Sequence, residues 1–271
     1  MKCNLRRRFL FLYLIVFVII IILWFRPRPN AQKFDYFKLA LQWPNSYCLL
    51  DYVTCRPAEP PQNFTIHGLW PQKNDGSELR NCDVKITMPD QILDNMRQKL
   101  LEYWPNLQNQ NNWNKCKDFW KGQWTFHGTC SLPEFDQQRY LDTAINRKND
   151  YDLLNDLDSA GIKPDGTAYD PIKICEAVKG RTTKVPIIKC FKEKSSGNVI
   201  FHEIHLCIND NGQDYQDCEK LTQCKYSLRG CPRNIKAIFP PMPPPSPPSV
   251  ADYLQEAWDS KLEDAAELKL K

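Results

Sequence analysis

Residues 64–71 read FTIHGLWP and residues 124–130 read WTFHGTC, two versions of one phrase: aromatic, Thr, apolar, His, Gly. They contain His67 and His127, two of only four histidines in the chain. An unperturbed imidazole titrates near ~6.5, so a pair can take a proton at one end of an in-line displacement and deliver one at the other. Such chemistry needs no metal and no organic cofactor. The glycine after each histidine permits close approach by backbone or ligand. Trp70 offers a flat face for stacking.

Outward from these phrases, local patterns alternate between strand and helix. Residues 34–48, FDYFKLALQWPNSYC, look like a strand entering a loop, and 64–70 like a second strand stopped by Pro71. Residues 90–103 place Ile92, Met96, Leu100 and Tyr103 at helical spacing. A helix over 115–130 puts Phe119, Gln123 and His127 on one face at four-residue steps. Residues 140–157 read as a further helix, ended by the Gly-Ile-Lys-Pro of 161–164. From 185 to 239 the character is short β segments (185–187, 199–204, 206–208) between turn residues. Strands at both ends with helices between them predict an α+β fold.

The other two histidines lie in FHEIHLC, residues 201–207. The H-E-x-H spacing is one residue short of the zinc motif H-E-x-x-H. In a regular strand, His202 and His205 would face opposite sides. Both are read as structural.

The chain ends carry different signals. Arg6, Arg7 and Arg8 precede an unbroken apolar run over 9–25, the pattern of a secretory signal within residues 1–31; the alternative is an uncleaved anchor. Residues 241–249 form a proline-rich linker, and 250–271 an acidic, amphipathic tail with Leu254, Ala257, Trp258 and Leu262 at helical spacing. The net charge of +4 is dominated by six basic residues before position 32, and the acidic tail opposes them. The part between is nearly neutral, so charge alone does not argue for a nucleic-acid partner. Twelve cysteines are present, and all but Cys3 fall between 48 and 231. No C-x₂-C pair occurs, so the set reads as lumenal disulfides with one thiol over, not as zinc ligands.

FTIHGLWP together with the FW-x₆-HGTC spacing of 119–130 resembles the two active-site segments of the ribonuclease T2 family. The similarity runs from about residue 34 to 240, the expected catalytic domain being 32–240. Within the family, QWPNSYC and the sequon Asn63-Phe64-Thr65 resemble the plant S-type ribonucleases of self-incompatibility. The resemblance implies a central antiparallel sheet with packed helices, stapled by disulfides. It implies a secreted, monomeric, metal-independent endoribonuclease, glycosylated at Asn63, that cleaves single-stranded RNA through a 2′,3′-cyclic phosphate. His127 would be general base and His67 general acid, with Gln123 assisting; Gln42, Trp70, Asn106 and Phe119 would line base sites. It also implies Cys48–Cys55, Cys82–Cys130 and Cys207–Cys218 pairs, Cys190 closing with Cys231 or Cys224, and an extra Cys116–Cys175 pair.

Two positions depart from the family pattern. Gln123 stands where a glutamate is common, and Phe126 where lysine is usual beside the second histidine. Phenylalanine cannot stabilise charge on a pentacoordinate phosphate. A ribonuclease-fold protein for recognition or storage, with weak catalysis, is therefore the competing reading. A third combines them: a pistil ribonuclease whose segments 73–80 and 108–115 are read by pollen proteins.

Overall fold

Residues Tyr36–Gln42, YFKLALQ, form β1, and their alternation decides how the sheet is buried. Phe37, Leu39 and Leu41 point into the main apolar core, whereas Tyr36 belongs to a small second cluster with Ile187, Cys207 and Cys218. In the computed structural model, which describes residues 33–55 and 61–241, β1 is flanked by β2 (Thr65–Gln72) and β5 (Val199–Asn209), both antiparallel to it. Next come β4 (Ile187–Lys192), antiparallel to β5, and β7 (Leu228–Arg229), parallel to β4. Short β3 (Ala168–Tyr169), β6 (Tyr215–Gln216) and β8 (Ala237–Ile238) complete it; β8 runs parallel to β5. The sheet is thus antiparallel along its long strands and mixed at its short ones. The apolar amino-terminal run, the tail and the linker beyond Pro241 lie outside the described residues. Among the described residues, no helix is long and apolar enough to cross a membrane.

Several boundaries differ from the sequence reading for local reasons. Pro71 does not stop β2: it pairs with Phe37 on the outermost strand of the main path, where a missing N–H costs no ladder bond. Residues 199–209 are one strand, not two. The helix expected over 90–103 breaks at Met96 (φ −99°, ψ 6°) into α2 (Asp90–Asn95) and α3 (Arg97–Tyr103), following the four-residue α1 (Pro44–Tyr47). α4 (Trp113–Phe126) ends at His127, and a 3₁₀ turn covers Gly128–Ser131. The helix expected over 140–157 is α5 (Gln137–Asn149) and α6 (Leu153–Ser159), separated where Asp152 accepts from the Asn155 N–H. α7 (Pro171–Thr182) lies where the sequence reading assigned no element.

Tryptophan holds the helical layer to the sheet. Trp43, Trp104, Trp120 and Trp124 are fully buried, and each indole donates to a carbonyl: Pro240, His67, Trp104 and Ile86 respectively. Each bond removes the cost, about 1–3 kcal/mol, of a buried unpaired donor. Trp104 onto the His67 carbonyl (3.1 Å) and Tyr140 onto the Leu69 carbonyl (2.7 Å) clamp β2 on either side of Gly68.

Among the described residues five disulfides are formed: Cys48–Cys55, Cys82–Cys130, Cys175–Cys224, Cys190–Cys231 and Cys207–Cys218. The expected Cys116–Cys175 pair does not exist. Cys175 lies on α7, which packs against the turn carrying Cys224. Cys116 is on α4, a buried free thiol donating to the Asn109 carbonyl at 3.2 Å.

Candidate active site

Two β-bulges build the site. On β2, Gly68 pairs with Ala40 and Ile66 with Leu41, leaving His67 without a partner in the ladder. A bulged residue reverses the alternation beyond it. Ile66 and Leu69, three apart, therefore both enter the core, and His67 and Trp70 share the other face with ring centroids 5.2 Å apart. On β5, Glu203 pairs with Lys189 and Phe201 with Cys190, so His202 is the extra residue.

The second bulge overturns the reading of FHEIHLC. His202 and His205 do not point to opposite sides: both reach the carboxylate between them, His202 Nε2 at 3.1 Å and His205 Nε2 at 2.6 Å. That carboxylate, Glu203, is fully buried and also takes His67 Nδ1 at 2.8 Å and Lys189 Nζ at 3.1 Å. Burial by itself would raise its pKa. The charges of His67 and His202, with hydrogen bonds from His202 and His205, override burial and hold Glu203 well below the usual carboxylate range. An ionised carboxylate only accepts, so His67 presents Nδ1–H to it, and Nε2 is left for the cleft.

His127 has a different setting. It caps the end of α4, and its segment is tied to residue 82 by the Cys82–Cys130 bond and by the Asn81 N–H donating to the Phe126 carbonyl (2.9 Å). Burial pulls its pKa down to about 4; Glu78, with Oε1 3.4 Å from Nδ1, pulls upward, while Arg80 and His67 push down. His127 is therefore a neutral ring near neutrality. Trp70 stands between the two imidazoles, 5.6 Å from His127 by centroid, and also abuts His205.

The glycines in both phrases make room for tryptophan. A Cβ on Gly68 would lie 2.1 Å from Trp70 Nε1 and 2.8 Å from Gln123 Oε1; one on Gly128 would lie 2.3 Å from the Trp124 ring. Gln123 thus reaches the strand beside His67, and its buried Oε1 has no protein partner. Phe126 is 53% exposed beside His127.

A cavity of about 170 Å³ opens at His67, lined also by Gln42, Tyr47, Asn106, Gln108 and Phe119. Gln42 Oε1 is buried and unpartnered there. Asn106, in that lining, also shapes the loop: its amide donates to the Lys115 carbonyl and its oxygen accepts from the Gln108 N–H. Trp70 is not in the lining. Larger hollows of about 420 and 350 Å³ lie elsewhere, lined by residues such as Asn155 and Lys225, and contain no imidazole. The sequence reading missed Tyr47, Glu78, Arg80, Lys189 and Glu203; only Glu203, an acid flanked by two histidines, left a visible signal.

Known proteins share this arrangement's frame. The Ribonuclease T2 family profile matches residues 34–218. The extracellular ribonuclease LE of Solanum lycopersicum is 34% identical over 191 residues, covering 69% of this chain and 82% of that protein. Ribonuclease S-2 of Solanum tuberosum is 35% identical over 206 residues, covering 74% and 88%. The crystal structure of RNase NT in complex with 5′-AMP superposes with a TM-score of 0.67 at 30% identity, covering 78% of this chain and all of that one. With both histidines brought against Trp70 and the family profile spanning their two phrases, the chain belongs to the ribonuclease T2 family.

Proposed function

We propose that this ribonuclease cleaves single-stranded RNA with His127 as general base and His67 as general acid. His127 takes the 2′-hydroxyl proton; the 2′-oxygen attacks phosphorus; the bond to the 5′-oxygen breaks as His67 protonates it; a 2′,3′-cyclic phosphate results. The observation that carries this reading is the contrast between the rings. His127 is buried and proton-poor, as a base must be, whereas His67 has an ionised carboxylate behind Nδ1. The cavity at His67 is then the seat of the base on the departing nucleoside, with Gln42 as its free acceptor and Phe119 as its wall. Trp70 supports the upstream nucleoside, and Gln123 Oε1 accepts a hydrogen bond from a hydroxyl or water near the reacting phosphate.

The pH profile tests the base. Below its pKa His127 is an imidazolium and cannot accept a proton, so kcat/KM should fall as pH drops through about 4. Glu78→Gln removes an upward influence and should move that limb to lower pH; Arg80→Gln should move it to higher pH. An acid limb that ignores both substitutions would remove His127 from the role. The same ring affects stability. Between about 4 and 6.5 the unfolded chain binds a proton that the folded chain refuses, so stability falls as pH is lowered through that window.

Phe126 supports the competing reading of a recognition or storage protein with slow turnover. Exposed and beside His127, it can be exchanged without disturbing the core. Phe126→Lys should raise kcat on polyuridylate about tenfold, by placing a cation at the transition-state phosphate. An unchanged rate with high wild-type turnover would remove the weak-catalysis reading. Of the two segments assigned to pollen recognition, 73–80 carries Glu78 and Arg80, which act on His127, and 108–115 carries Gln108, which lines the cavity. Those segments serve the site. A part in self-incompatibility rests on likeness to S-type ribonucleases such as ribonuclease S-2. Secretion fits the five disulfides, the amino-terminal apolar run and likeness to ribonuclease LE. Asn63, beside the start of β2, remains the expected glycosylation site.

A further inference from the structure

The four partners of Glu203 arrive from three strands. His67 comes from β2, His202 and His205 from β5 itself, and Lys189 from β4. Oε1 serves His67 and His202; Oε2 serves His205 and Lys189. Across the ladder, Gln42 of β1 stands in register with Glu203. The carboxylate therefore cannot turn without breaking contacts on both oxygens. His67, by contrast, sits on a bulge, and among the described residues its polar side-chain partner is this one carboxylate. A ring on a bulge, held at one nitrogen by an immobile acceptor, has its orientation dictated from behind.

We propose that Glu203 is the positioning residue for His67, fixing Nδ1–H so that Nε2 faces the departing 5′-oxygen. His202, His205 and Lys189 act one step further back, by holding the carboxylate. Glu203 does not touch substrate. In the cleavage step the proton on Nε2 passes to the 5′-oxygen as its bond to phosphorus breaks, and the ring ends neutral with its remaining proton still on Nδ1, donated to Glu203. The proposal rests on His67 being the proton donor.

Leaving-group dependence separates this from a structural role. Glu203→Gln should lower kcat about 10²-fold on a dinucleoside phosphate, with KM changed less than about threefold. On uridine 3′-(4-nitrophenyl phosphate), whose leaving group departs without a proton, the loss should shrink to less than about threefold. Equal losses on both substrates would overturn the proposal. In a His67→Ala background, Glu203→Gln should cost no further activity on the dinucleoside phosphate; a full additional loss would also overturn it. His67→Ala alone, tested on both substrates, judges the underlying reading separately: an equal loss on both means that His67 is not the acid. Because Glu203→Gln removes a buried charge with four partners, the wild-type protein supplies a second measurement. Nitrogen NMR of the neutral His67 ring should show the proton on Nδ1, and a proton on Nε2 would overturn the proposal whatever the variant does.

Discussion

Replacing either imidazole should abolish most of the activity: His67→Ala and His127→Ala are each expected to lower kcat/KM on RNA by about 10²–10⁴-fold. Both proton transfers belong to one displacement, so the double variant should be little worse than either single one. The two variants should differ in their other properties. His67→Ala leaves Glu203 with His202, His205 and Lys189, enough to keep the buried carboxylate paired. His127→Ala removes a buried neutral ring that makes no side-chain hydrogen bond, so it should fold and lose the acid limb near pH 4. Steady-state kinetics on a dinucleoside phosphate, with circular dichroism for folding, decides the matter. If either folded variant keeps more than about a tenth of the rate, general acid–base catalysis by that residue is refuted.

The second large effect concerns stability. Cys82→Ala with Cys130→Ala opens a loop whose ends are 48 residues apart. The chain-entropy relation for a loop of that size gives about 4 kcal/mol. For a domain of this size that is a fall in Tm of about 8–16 °C. Activity should fall too, because the bond anchors the 3₁₀ turn that follows His127 and the strand-side segment carrying Glu78 and Arg80. Calorimetry of the variant checks the first point. A shift below about 3 °C would mean that the core alone restrains this loop.

Reading the sequence worked where the signal was local and failed where it depended on a neighbour. The strand at 36–42 and the helix under Phe119 and Gln123 both follow from residues close in the chain. Cys175 shows the opposite case. Its partner is decided by which turn packs against α7, and spacing carries no such information. Asn106 stands in the cavity lining, and only the packed loop shows that its amide is committed to the loop's own backbone.

The sequence by itself determined the reaction class, since two His-Gly phrases of family-specific wording and spacing are covalent facts that no packing can alter. It likewise determined that strands flank a helical middle, because apolar periodicity is local. Only the tertiary structure decided how the site is wired. Side-chain direction along a strand has period two until a bulge inserts one unpaired residue, and a bulge is a property of two strands in register. The bulge at His67 turned that ring to the side of Trp70, and the bulge at His202 gathered His202, Glu203 and His205 on one carboxylate. Counting alternate residues in FHEIHLC separates the two histidines, and the ladder between β4 and β5 joins them.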